Sequence, residues 1–74
     1  MKDWREQFDY VGPFSEGRSR VRLGIKWGHV DREGNVTTPI IYDDVWPFYE
    51  GRARVRLGNK SFYVDKNGNK IKEE

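Results

Sequence analysis

Phe14-Ser15-Glu16-Gly17-Arg18-Ser19-Arg20-Val21-Arg22-Leu23-Gly24 returns as Phe48-Tyr49-Glu50-Gly51-Arg52-Ala53-Arg54-Val55-Arg56-Leu57-Gly58, and this repetition decides the fold. Extended outward, Phe8 to Thr37 aligns with Tyr42 to Ile71 without a gap at an offset of 34, with 17 of 30 positions identical. Self-similarity at a fixed period marks one supersecondary unit used more than once. Within the unit Ser19, Val21 and Leu23 alternate with Arg18, Arg20 and Arg22, the period of two that sends neighbouring side chains to opposite faces of a strand. Helical spacing is nowhere sustained.

Gly24-Ile25 and Gly58-Asn59 each separate two such runs, and glycine at the first central position signals a two-residue hairpin turn. Asp31-Arg32-Glu33-Gly34 and Asp65-Lys66-Asn67-Gly68 read as the next turns, with glycine where positive φ is needed. Counting from a Gly24-Ile25 loop sets Leu23 opposite Lys26, Arg22 opposite Trp27, Val21 opposite Gly28, Arg20 opposite His29, Ser19 opposite Val30 and Arg18 opposite Asp31. One face then carries Val21, Gly28, Ser19 and Val30; the other carries three arginines with Trp27, His29 and Asp31. The second copy sorts the same way: Val55 with Phe62 and Ala53 with Val64 inside, Arg56 with Ser61, Arg54 with Tyr63 and Arg52 with Asp65 outside. Between copies Gly28 becomes Phe62 and Trp27 becomes Ser61, so bulk moves from one face to the other. If the two repeats close on one another, Phe62 would fill space that Gly28 leaves open.

Seventy-four residues make one domain at most, in the size range where folding hides only about 60% of the unfolded surface. There is no cysteine and a single histidine, which removes disulfides and thiolate metal sites as staples. Fourteen basic and twelve acidic residues leave a net charge of +2, too balanced for the sequence-independent phosphate binding of a strongly basic tail. No apolar run is long enough for a signal peptide or a membrane span, so the expectation is a soluble, cytoplasmic protein. Eleven aromatic residues, counting three Trp, four Tyr and four Phe, argue for an ordered chain, because disordered segments are poor in the side chains that repay ordering entropy.

Phe14, Glu16, Gly17, Val21, Lys26-Trp27-Gly28, Val30-Asp31, Gly34 and Tyr42-Asp43-Asp44 resemble the tryptophan-glycine (WG) β-repeat family, whose pattern runs roughly F-x-E-G-L-A-x-V, then G-K-W-G-Y-I-D, then a Y-D-D segment. The resemblance spans nearly the whole chain and implies repeated β modules with binding roles. Two departures stand out: Ser61-Phe62 replaces Trp-Gly in the second copy, and Arg18 and Arg52 stand where the family usually has leucine.

Residues 1–13 match the end of a repeat, residues 14–47 form a full repeat and residues 48–74 a truncated one, within a single domain. Phe8-Asp9-Tyr10-Val11-Gly12-Pro13 corresponds to Tyr42-Asp43-Asp44-Val45-Trp46-Pro47. The expected fold is therefore all-β, an antiparallel meander of two pseudo-symmetric repeats. It would form a small closed or partly closed barrel or sandwich in which N- and C-terminal strands complete each other. The Phe8 to Val11 strand would pair near Lys70 to Lys72, within one chain or between neighbouring chains.

Six arginines at alternate positions, interleaved with aromatics, form an anion-binding surface if they are free. Cross-strand Arg-Asp and Arg-aromatic pairs stabilise a sheet by roughly 0.2 to 1 kcal/mol each and would engage Arg18, Arg52, Arg22 and Arg54 structurally, whereas Arg56 faces only Ser61. His29 has no nucleophile placed beside it and reads as a solvated strand histidine. Asp43-Asp44 point to opposite faces and suit a turn better than a cation. Asp65-Lys66-Asn67-Gly68-Asn69 lacks the glycine and glutamate positions of a calcium loop. Trp4, Trp46 and Tyr49 sit in or next to loops, where large aromatics are core plugs or contact anchors; burial is the expectation for Trp46.

No enzyme and no cofactor is expected. The leading function is a non-enzymatic protein-binding β module of the adaptor or inhibitor kind, occupying a partner's acidic surface through an arginine/aromatic face. Its contact residues would be Arg20, Arg22, Trp27, Arg54, Arg56 and Tyr63, with Trp46 and Tyr49 on the loops. A nucleic-acid or phosphate binder using the same face, and a self-assembling structural protein joined by terminal strand pairing, are the alternatives. No membrane role is expected.

Overall fold

The computed structural model describes residues 3–72. A short 3-10 helix, Trp4–Gln7, precedes seven strands: β1 (Tyr10–Ser15), β2 (Arg18–Leu23), β3 (Lys26–Val30), β4 (Val36–Tyr42), β5 (Asp44–Val45), β6 (Arg52–Leu57) and β7 (Lys60–Asp65). They form two antiparallel meanders, a sheet ordered β1-β2-β3-β4 and a sheet ordered β5-β6-β7. The register between β2 and β3 runs from Ser19 opposite Val30 to Leu23 opposite Lys26, and that between β6 and β7 from Arg52 opposite Asp65 to Leu57 opposite Lys60, both as counted from the turns. Gly24 and Gly58 hold φ of 67° and 63°, which sets a two-residue loop whose twist matches the flanking strands.

The β1 to β2 hairpin turns on Glu16-Gly17. Glu16 (φ 54°) and Glu50 (φ 53°) both occupy the left-handed region, which ordinary side chains rarely enter. Asp9 Oδ2 accepts from the Gly24 amide at 2.7 Å and Asp43 Oδ2 from the Gly58 amide at 2.7 Å, so the same aspartate pins the same turn in each repeat. The later turns also match: Asp31 Oδ1 accepts from the amides of Glu33 and Asn35, and Asp65 Oδ1 from those of Asn67 and Asn69.

The sheets do not close into a barrel. β1 pairs only with β2, and the chain after the last turn returns to β7, through a Val64–Lys70 bridge and an Ile71 amide donating to the Tyr63 carbonyl at 2.8 Å. Among the described residues the Phe8 to Val11 segment and the Lys70 to Lys72 segment do not pair with one another. The reason lies at Asp43, where β4 of the first sheet leads directly into β5 of the second. Repetition advances the chain along an axis instead of curling it round, and the molecule measures 45 × 24 × 16 Å.

Val21, Val30, Val55 and Val64 are fully buried, as the face assignment requires, and Ser19 and Ala53 join them. The main apolar cluster is Tyr42, Val45, Phe48, Ala53, Val55 and Val64, with Trp27 and Phe62 packed against it. Phe62 is only half-buried, and Gly28 leaves no space for it to fill. A Cβ at Gly28 would stand 2.5 Å from the Thr38 carbonyl oxygen and 2.9 Å from both the Pro39 carbonyl oxygen and Ile40 Cγ1. Glycine there lets β4, whose register against β3 shifts between Trp27 and His29, bring residues 38–40 close against β3. In the second repeat Phe62 instead packs edge-on against Tyr42 at 5.9 Å.

Candidate functional site

The arginine face divides into a committed part and a free part. Arg56 was expected to be the least engaged arginine and is the most engaged. Its Nε and Nη2 both donate to Asp44 Oδ2, at 3.0 and 2.7 Å, and its Nη1 donates to the Gly58 carbonyl at 2.9 Å. Asp44 lies opposite Arg56 on β5, the neighbour on the other side of β6 from Ser61. Arg22 Nη1 donates to the Gly24 carbonyl at 2.6 Å, and Arg18 Nε to the Lys66 carbonyl at 3.0 Å. Arg20 stacks on Trp27 at 5.8 Å, and Trp27 packs edge-on against Tyr10 at 5.6 Å.

Arg18 and Arg52 make no ion pair with Asp31 and Asp65 among the described residues, although Asp65 lies opposite Arg52, because both carboxylates are already turned toward their own turn amides. Those amides hold both carboxyls below their ordinary range, the Asn35 amide foremost for Asp31 and the Asn69 amide for Asp65. Arg22 lies opposite Trp27 and Arg54 opposite Tyr63 as counted, but the guanidinium stacking on these two rings is diagonal, while Arg54 turns to Trp46, its direct neighbour on the other side of β6. Arg20 covers Trp27, Arg52 covers Tyr63 at 4.6 Å, and Arg54 covers Trp46 at 5.3 Å. Diagonal neighbours lie within reach of long side chains.

His29 is fully buried instead of solvated. Strand alternation places it on the arginine face, but the segment after β5 folds over that part of the face. His29 packs against Phe48 with ring centroids 4.7 Å apart, and its Nε2 donates to the Trp46 carbonyl oxygen at 2.9 Å. Burial pushes its pKa down to about 4, aided by Arg20 and Arg18 and opposed by the Trp46 bond, so the ring is neutral at pH 7. Asp43 Oδ1 pairs with Lys26 Nζ at 2.9 Å, and the Gly58 amide is the chief influence keeping its carboxyl low. Asp43 and Asp44 are thus spent on separate partners. Among the described residues no group of three or more His, Cys, Asp or Glu side chains could hold a metal ion.

The two exposed arginines of the face, Arg52 and Arg54, gather at one end of the second repeat. Trp46, Pro47, Tyr49, Arg52, Arg54 and Tyr63 line an open cleft of about 260 Å³. Tyr49 is 72% exposed and Trp46 42%, so Trp46 is not the core plug it was expected to be. Its exposure follows from a relocation of bulk. In the first repeat Tyr10 lies over Gly12, with Cε2 3.3 Å from the place of a Cβ, whereas the corresponding pair in the second repeat is Asp44 and Trp46. Asp44 takes Arg56, and Trp46 stands out beside Arg54.

Of the eight expected contact residues, the cleft brings together Trp46, Tyr49, Arg54 and Tyr63. Arg20, Arg22 and Trp27 lie on the first sheet, and Arg56 is bound to Asp44. Arg52 and Pro47 complete the cleft and were not anticipated. Arg52 was assigned to Asp65, and the turn sequence Asp65 to Asn69, repeated from Asp31 to Asn35, was the signal that this carboxylate would be occupied.

No helix among the described residues is long and apolar enough to cross a membrane. No curated protein and no solved structure matches the chain. The family described as WG containing repeat matches residues 7–27 and again residues 27–60, segments that hold the Glu16-Gly17 and Glu50-Gly51 turns, Trp27-Gly28 on β3 and the Tyr42-Asp43-Asp44 passage between sheets. The chain belongs to the WG-repeat family.

Proposed function

We propose that this protein is a non-enzymatic binding module that holds a partner protein in the Trp46/Tyr49/Arg52/Arg54/Tyr63 cleft. The observation that carries this reading is the coincidence of two uncommitted arginines and three partly exposed aromatics at one concave place. Those are the residue types in which interfaces concentrate their energy, and a strand face presents them at little further ordering cost. Exposed arginine stacked on an aromatic keeps its outward N–H groups for an acceptor, so the partner's matching surface is acidic. The sole histidine, buried and neutral against Trp46, has no part in acid-base chemistry on this reading. The proposed setting is the cytoplasm, where a fold held without disulfides suffers nothing from reducing conditions.

The test is capture of the partner from the native source by wild-type protein and by Arg54→Glu and Trp46→Ala variants shown to be folded. A partner retained by wild type and lost by both variants supports the reading. Equal retention by all three overturns it.

A further inference from the structure

The two repeats meet through a junction whose parts occur twice in the chain. On the first repeat's side, Glu16 Oε2 and Oε1 accept from the amides of Glu50 and Gly51 at 2.6 and 2.8 Å, Ser15 Oγ donates to the Phe48 carbonyl at 2.8 Å, and Arg18 Nε donates to the Lys66 carbonyl at 3.0 Å. His29 covers Phe48, Lys66 Nζ donates back to the Glu16 carbonyl, and Thr37 closes on Gly68. The Gly51 amide leads in holding the Glu16 carboxyl below its ordinary value.

A shift of 34 residues carries the receiving side, Ser15, Glu16, Arg18 and His29, onto Tyr49, Glu50, Arg52 and Tyr63 at the far end, where no described residue is seated. A shift in the other direction carries the inserted side, Phe48, the Glu50-Gly51 turn, Lys66 and Gly68, onto Phe14, the Glu16-Gly17 turn, Arg32 and Gly34 at the near end. The turn is preserved in detail: φ is 54° and 78° at Glu16 and Gly17 against 53° and 82° at Glu50 and Gly51, so both present their amides alike. What differs at the near end is Trp4. Its indole packs edge-on against Phe14 at 6.3 Å and lies against Gly34, the two places that His29 and Thr37 cover in the internal junction. Ser19 Oγ also donates to the Gly12 carbonyl at 2.7 Å, satisfying within the first repeat the group whose counterpart, the Trp46 carbonyl, needs His29.

We propose that the far end receives the Phe14–Gly17 hairpin of a second copy of this chain, and that Trp4 holds this head-to-tail association in check by covering the hairpin in cis. The junction shares Arg52 and Tyr63 with the cleft but does not use Trp46 or Arg54, so it goes beyond the binding reading above. The Glu50 carboxylate accepts from the second copy's Glu16 and Gly17 amides, Arg52 donates to its Arg32 carbonyl, and Tyr63 lies over its Phe14. Such a junction is heterologous, using different patches on the two copies, so uncapped copies extend into chains instead of stopping at pairs.

Sedimentation velocity over a rising concentration series tests this. Trp4→Ala is expected to associate progressively where wild type does not, and adding Glu50→Lys is expected to weaken the association at least about tenfold, since it removes charge-assisted hydrogen bonds. Wild type mixed with the Trp4→Ala/Glu50→Lys double variant is expected to stop at one-to-one pairs. If Trp4→Ala does not fold by circular dichroism, Asp3→Ala, which removes the carboxylate that accepts from the Arg5 amide, loosens the cap and serves in its place. A folded, uncapped variant that stays monomeric, or association indifferent to Glu50→Lys, overturns the proposal. Arg54 corresponds to Arg20, whose side chain makes no hydrogen bond or ion pair across the internal junction among the described residues, and Trp46 corresponds to Gly12, which has no side chain to place there. Loss of a captured partner on changing them therefore judges the binding reading independently of self-association.

Discussion

His29 Nε2 donates to the carbonyl oxygen of Trp46 at 2.9 Å, across the junction between the two sheets. The bond fixes the neutral tautomer, and the ring lies buried against Phe48 with no water-accessible surface. Its pKa falls from 6.5 to about 4 on folding, burial being the main cause. Between those values the unfolded chain binds a proton that the folded one refuses, so stability rises with pH across this window. The contribution is complete above pH 6.5 and gone below pH 4, and its size is roughly 3 kcal/mol by linkage. Urea midpoints should fall steadily from pH 7 to pH 4, and His29→Gln should flatten that slope. A slope unchanged in a folded His29→Gln variant would show that another group carries it.

Gly28 lies close against β4, with the Thr38 carbonyl oxygen 2.5 Å from where a Cβ would be. Backbone on both sides of the contact cannot yield as a flexible side chain does. Gly28→Ala should therefore cost roughly 3 kcal/mol, at the upper end of overpacking changes, measured as a drop in the denaturant midpoint. Ser61→Ala, on the exposed face of β7, should leave the midpoint within about 0.5 kcal/mol of wild type.

Both of these effects were only half legible in the sequence. The turn glycines fixed the register of each hairpin, because Gly24 and Gly58 leave a single way to count outward, and the alternation then sorted Val21, Val30, Val55 and Val64 correctly. Alternation says which face a residue is on, not whether a distant segment covers that face. His29 was read as solvated for that reason, since the Trp46–Phe48 segment that buries it lies 17 residues on. Arg56 was misread for a related one. A strand inside a sheet has two neighbours, and counting through one hairpin finds Ser61 while Asp44 waits on the other side. Closure of the termini within one chain failed because pseudo-symmetry of the sequence does not specify whether repeats curl or advance. That choice is made at the short passage from Tyr42 to Asp44, where the last strand of one sheet runs through Asp43 into the first strand of the other.

Arg56 gives a direct test of that second neighbour. Reversing its charge places like charges opposite one another on β5 and β6 and removes the bond to the Gly58 carbonyl. Both members of the Arg56–Asp44 pair are partly exposed, with side chains at 40% and 50%, so the loss should be modest, about 1 kcal/mol. Arg56→Glu should lower the melting temperature by a few degrees and leave partner affinity untouched, and the swap Arg56→Glu/Asp44→Lys should recover most of the loss. Reduced affinity in a fully stable Arg56→Glu protein would return this arginine to the contact surface.

The cleft makes the sharpest demand on binding. Trp46 is held by its backbone, through the amide that donates to the Arg54 carbonyl at 2.9 Å and the carbonyl that accepts from His29, so Trp46→Ala removes an exposed indole without disturbing the junction. Arg54→Glu leaves the strand register intact because its guanidinium stacks on the indole and makes no hydrogen bond or ion pair among the described residues. Each change should weaken the partner about tenfold or more, the effect of losing an aromatic or arginine anchor. Arg22→Glu, on the first sheet and bound to its own turn, should weaken it far less. Salt separates the chemical classes of partner. Affinity that falls steeply between low and moderate ionic strength, with a logarithmic slope of several, is the signature of phosphates displacing counterions and would identify a nucleic acid. A shallow slope, with Trp46→Ala as damaging as Arg54→Glu at moderate salt, is what an acidic protein surface anchored on buried aromatics produces, and titration calorimetry of the three variants at two salt concentrations reads the difference directly.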